Sequence, residues 1–213
     1  RQNFMWMGLP GGKPRHDMPW IKVPEGQVQP VNNWDSWICW NWLTTALFLD
    51  QNEERRFKGV HKATICLDKF INTYPEDGGC EEGPGYWNVG PGAMFDALEL
   101  LHSSTSGAVD IYSNPLITQM GLYMNRVHVA GSYYLNPGDA SPIIHLDVDK
   151  MYRFGKTLKN RDMISLAISS MPAKYLPSTL PAIFNETELR AQPPAKARLL
   201  RDTWLPETHI MAA

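Results

Sequence analysis

Asn33-Trp34-Asp35-Ser36-Trp37-Ile38-Cys39-Trp40-Asn41-Trp42-Leu43-Thr44-Thr45-Ala46-Leu47-Phe48-Leu49-Asp50, followed after a short polar break by Glu53 to Thr73, decides the fold class. In the first segment Trp34, Trp37, Ile38, Trp42, Leu43, Ala46, Leu47 and Leu49 recur at helical spacing and run nearly all round, which predicts a buried inner helix. Asn32 or Asn33 supplies the short polar side chain that satisfies the free amides of a first helical turn. In the second segment Phe57, Val60, Ala63, Thr64, Leu67, Phe70 and Ile71 share a face, with Glu53, Glu54, Arg55, Lys58, Lys62 and Lys69 mostly on others. That is the pattern of an outer helix. An inner and an outer helix joined by a short turn make an antiparallel helical hairpin.

The same pattern continues downstream. Met94, Phe95, Leu98 and Leu101 mark a third helix, and Asn114-Pro115 opens a fourth that reaches Val127. Weaker helices are expected at about Asp147 to Lys156, Asn160 to Met171 and Asn185 to Gln192, the last with Glu188 three residues after Asn185 as in a capping box. Only Ser132 to Leu135 and the residues from His209 onward look extended, so the predicted class is all-α, built of helical hairpins. Upstream, Pro10, Pro14, Pro19, Pro24, Pro30 and the pair Gly11-Gly12 deny regular structure a footing, and residues 1–31 read as a long irregular segment.

Composition narrows the function classes. With 213 residues and 43% hydrophobic content the chain suits one domain of ordinary size. A formal net charge of -2 lacks the basic balance of a duplex nucleic-acid binder or a membrane-surface helix. No run approaches the roughly 18 apolar residues of a membrane span. The chain opens on Arg1 and reads as a piece of something longer. Cys39, Cys66 and Cys80 lack metal-ligand spacing, and the six histidines show no such pairing, so neither a metal nor a cofactor is expected. One disulfide remains open. His61 and His128 fall within helical patterns and read as structural or exposed. Asp139, Asp147 and Asp149 read as a proline turn followed by a helix N-cap rather than as a cation site.

Candidate chemistry lies in two polar clusters, Asn32-Asn33-Trp34-Asp35-Ser36-Trp37 and the run Tyr74-Pro75-Glu76-Asp77-Gly78-Gly79-Cys80-Glu81-Glu82-Gly83-Pro84-Gly85-Tyr86-Trp87. Amides suit a carboxylate, a phenol can transfer protons, and indoles cover sugar faces, so the two clusters together outline a cleft for an acidic sugar. β-Elimination on a uronate needs its carboxylate neutralised, its C5 proton removed and its O4 leaving group protonated. Asn32 and Asn33 can serve the first need, aided by the positive end of the helix they open, and Tyr86 the others. Glu82 would hydrogen-bond Tyr86 or the substrate, and Trp34, Trp37 or Trp87 would stack on the sugar. The bland readings fit the residue types too: Asn32 and Asn33 as an N-cap and its neighbour, Tyr86 as a buried tyrosine, Glu81 and Glu82 as first-turn carboxylates, and the tryptophans as core.

These two clusters strongly resemble the heparinase II/III-like family of polysaccharide lyases, the likeness spanning about Trp6 to Gly155. The resemblance implies an incomplete (α/α) toroid over residues 32–202, with residues 203–213 beginning a C-terminal β domain that the chain lacks. It implies Asn32 or Asn33 as the carboxylate neutraliser and Tyr86 as the catalytic tyrosine, acting on a glycosaminoglycan- or alginate-like polysaccharide, and a periplasmic or secreted location. Several lyases of this group carry His beside the neutralising residue, where this chain has Asn33 and Trp34. Two other readings stay open: a glycoside hydrolase using Glu82 with Asp35 or Asp139, whose carboxylates would face each other across a sugar, and a noncatalytic glycan-binding module. Nothing in the sequence gives an oligomeric state.

Overall fold

A computed structural model describes residues 33–197 and 202–212, and the irregular segment and Asn32 lie outside them. The described residues are mostly helical and all-α in class. They fall into two compact units, one ending at Tyr74 and the other beginning at Pro75.

The first unit holds α1 (Asn33–Phe48) and α2 (Glu53–Asn72), packed as the expected hairpin. α2 starts where Asn52 accepts the Arg55 amide at 2.9 Å, and its first turn carries Glu53 and Glu54, favourable at the positive end of a helix. Its buried side is Gly59, Ala63, Leu67, Phe70 and Ile71, leaving the charged residues outside. α1 corrects the sequence reading. It buries a narrow strip of mainly small residues, Asn33, Ser36, Cys39, Leu43 and Ala46, while Trp34, Trp37, Phe48 and Leu49 stay exposed. The two helices approach closely at Gly59, where a Cβ would lie 3.2 Å from the Trp42 indole nitrogen and 3.5 Å from Ala46.

The second unit contains a 3-10 turn (Pro84–Tyr86), α3 (Pro91–Ser104), α4 (Pro115–Val127), α5 (Val148–Thr157), α6 (Arg161–Ser169) and α7 (Leu180–Arg190). Four of its helices begin on side-chain caps, Asn114, Asp147, Asn160 and Thr179, each accepting a first-turn amide. Asp147 is thus the N-cap that the sequence suggested. α5 and α6 form a second hairpin, and the core joins Trp87, Phe95 and Phe154, with the two phenylalanine rings 4.4 Å apart. Short strands β1 (His128–Ala130) and β2 (Tyr133–Tyr134) pair antiparallel, as do β3 (Thr203–Leu205) and β4 (Ile210–Ala212).

Two local expectations change here. α7 begins at Leu180, not near Asn185: Thr179 accepts the Ala182 amide at 3.2 Å and Pro181 occupies the first turn, where its missing N–H costs nothing. Asn185 is mid-helix and donates to the Pro181 carbonyl at 2.8 Å, while Glu188 receives the Lys156 ammonium and the Tyr152 hydroxyl. His128 ends α4 in extended backbone and starts β1 instead of lying within the helix.

Candidate functional site

The loop between Pro75 and Gly90 is held from several sides by groups remote in sequence. Asp77 acts as its hub. One carboxylate oxygen accepts the Gly79 amide at 2.8 Å, and the other accepts the amides of Glu207 at 2.9 Å and Thr208 at 3.2 Å, tying the loop to the β3–β4 turn. Arg126 of α4 donates to the Asp77 carbonyl at 2.9 Å. Beneath the loop, Tyr123 donates to the Cys80 carbonyl at 3.4 Å, and burial, with Cys80 and Asp77 nearby, pushes its phenol well above the usual tyrosine range.

The Gly83-Pro84-Gly85-Tyr86 turn follows. Gly83 has φ 90 and ψ 176, a conformation essentially restricted to glycine, and a Cβ there would run into the Pro137 carbonyl oxygen. Gly138 packs back against the carbonyl of Glu81, and the Asp139 amide donates to the Glu82 carbonyl at 3.2 Å, so the two loops interlock. Amides of Val89 and Gly90 converge on the Tyr86 carbonyl at 3.1 and 3.0 Å.

This backbone sends neighbouring aromatic residues in opposite directions. Tyr86 is 37% exposed, which excludes the buried-tyrosine reading, and Glu82 nearby is half-buried. Trp87 points inward, 1% exposed, with its indole N–H donating to the Met120 carbonyl at 2.9 Å and its ring stacked on Phe154. Trp87 is therefore corrected from a sugar-stacking residue to a core residue, since the whole ring is sequestered and its one donor is satisfied inside. Glu81 and Glu82 lie in the turn closed by the Gly83 amide on the Cys80 carbonyl at 2.9 Å, ahead of the 3-10 turn, and not in the first turn of an α-helix.

In the first unit Asn33 is buried as the first residue of α1, and its carbonyl accepts the Ser36 hydroxyl at 3.0 Å. Trp34 and Trp37 stand exposed on the same helix with ring centroids 5.2 Å apart. Asn32 lies outside the described residues.

The sequence reading missed the buried charges of the second unit. Arg153 pairs with Asp149 at 2.8 Å, Asp96 at 3.0 Å and Glu99, while Lys150 pairs with the second oxygen of Asp96 at 2.9 Å. Burial opposes the guanidinium charge, yet Glu99, Asp96 and Asp149 together hold Arg153 well above its ordinary value. Burial raises Glu99 and Asp149 above the usual carboxylate range against the pull of Arg153, with neighbouring carboxylates adding to the rise. A detectable signal existed: Asp96 interrupts the apolar face of α3, and Asp149 and Arg153 stand four residues apart in a helix buried continuously from Val148 to Gly155.

Among the described residues the three cysteines are free thiols, no group of three or more His, Cys, Asp or Glu side chains is placed to hold a metal ion, and no helix is long and apolar enough to cross a membrane. Comparison of the chain with protein-family models gives no match, and comparison with curated proteins gives none either.

Proposed function

We propose that this chain is the helical part of a polysaccharide lyase that cleaves uronate-containing polysaccharide by β-elimination, its hairpins belonging to an incomplete (α/α) toroid completed by a β domain. The observation that carries the reading is Tyr86, an accessible phenol on a turn that glycine geometry and remote hydrogen bonds hold in place, within the segment that resembles the heparinase II/III-like lyases. In this reading Asn32 or Asn33 neutralises the substrate carboxylate, which acidifies the C5 proton. Tyr86, as phenolate, takes that proton while the C4–O4 bond breaks, and the resulting phenol returns the proton to the departing O4. The products are a new hydroxyl end and a C4–C5 unsaturated uronate. Glu82 orients the phenol or a sugar hydroxyl, Trp34 and Trp37 offer stacking surface, and the protein works in the periplasm or outside the cell.

One observation favours a second reading. The Asp139 amide donates to the Glu82 carbonyl at 3.2 Å, so two residues whose carboxylates a glycoside hydrolase would use belong to adjoining loops. The chain by itself is expected to be inactive or feeble, so a panel of uronate polysaccharides given to the intact parent protein beside the chain, followed by the ultraviolet absorbance of the unsaturated uronate, separates the readings. Elimination predicts absorbance that disappears in Tyr86→Phe. Reducing ends without absorbance, lost in Glu82→Gln and kept in Tyr86→Phe, would establish hydrolysis; unchanged binding without cleavage would leave a glycan-binding module.

A further inference from the structure

Lys150 spends its buried charge on the loop that carries Tyr86. Its side chain is 11% exposed, and Asp96, opposite, is 8% exposed. The ammonium pairs with Asp96 at 2.9 Å and also donates to the Asn88 carbonyl, two residues beyond Tyr86, at 3.3 Å. The lysine stem runs across Gly92, where a Cβ would lie 2.8 Å from the lysine Cδ and 3.2 Å from the Trp87 carbonyl, and the Gly92 amide donates to that same carbonyl at 2.8 Å. Asp96 is fixed in turn by Arg153 at 3.0 Å through its other oxygen. An ionic chain thus runs from the helix core through Asp96 and Lys150 to the backbone just past the exposed phenol.

Apolar residues of similar volume commonly replace buried ion pairs at little cost in stability, so packing alone does not account for the chain. We infer that Asp96 and Lys150 are positioning residues, which hold the Asn88 carbonyl and through it the direction in which Tyr86 faces. Neither touches substrate. The inference rests on Tyr86 being the reacting group, but the anchoring itself can be measured without any activity.

The test uses two changes that disturb the chain differently. Lys150→Met keeps the stem and removes the charge; Gly92→Ala keeps every charge and displaces the stem. Amide hydrogen exchange of residues 84–90 is compared with that of α7 as an internal control, alongside elimination kinetics on the most responsive polysaccharide. Both variants are expected to exchange about tenfold faster in the loop with α7 unchanged. Both should also lower kcat by about a hundredfold, the scale of a displacement of roughly 1 Å, with KM within about twofold. Exchange at the wild-type rate in the loop, or an equal rise across loop and α7, would overturn the positioning role. Loop-specific exchange in a protein whose wild type, joined to its β domain, shows no elimination would uphold the anchor and reject the lyase reading instead. Should Lys150→Met fail to fold, Gly92→Ala decides alone.

Discussion

The α1–α2 hairpin and the loop from Asp77 to Gly90 hold their shapes by different means. The hairpin is made by side chains of the two helices themselves, with small residues on the seam and Asn52 capping the second helix. The loop has no regular structure apart from one 3-10 turn and is fixed by groups up to 131 residues away, among them the Glu207 and Thr208 amides, Arg126, the Met120 carbonyl and Lys150. A helix can display side chains on the strength of its own period. A loop can aim one only when distant parts of the chain grip its backbone, which is also how it turns Tyr86 outward and Trp87 inward at consecutive positions.

If this contrast is right, damage should scale with how many remote partners a residue serves. Trp87→Ala removes the ring at the centre of the second unit together with its bond to Met120, and a loss of about 3–5 kcal/mol in chemical denaturation is expected. Tyr86→Phe next to it, losing only an exposed hydroxyl, should stay within about 0.5 kcal/mol of wild type. Equal losses at the two positions would mean that the loop does not sort inward from outward as described. Gly83→Ala forces a side chain into a conformation closed to it and against the Pro137 carbonyl, so about 2 kcal/mol should be lost, read as a lower denaturation midpoint. In the hairpin, Asn52→Ala deletes a single local cap and should cost about 1 kcal/mol, visible as a modest fall in Tm.

Legibility followed the same division. Asn114-Pro115, Asp147 and Asn160 announced helices that are present, because a cap and an apolar period act within a few residues. The false start at Asn185 arose where Thr179-Leu180-Pro181 opens the helix earlier and Glu188 serves Lys156 and Tyr152 of another helix. The wide apolar face of α1 misled for a related reason. Apolar spacing shows which residues suit burial, and packing against the partner helix decides which of them are buried, with Trp42 and Ala46 against Gly59 and Trp34 and Trp37 outside. At the candidate site Tyr86 was readable as a proton-transfer candidate, whereas its exposure and the inward course of Trp87 were not.

Helix identity and the hairpin class depend on backbone preference, capping and periodicity, which neighbouring residues specify. Which tryptophan is core, and why Asp96, Asp149 and Arg153 can lie among apolar side chains, depend on partners distant in sequence. A buried charge or a bulky ring is stable only where its complement is brought to meet it, and that meeting is settled by packing of the whole unit.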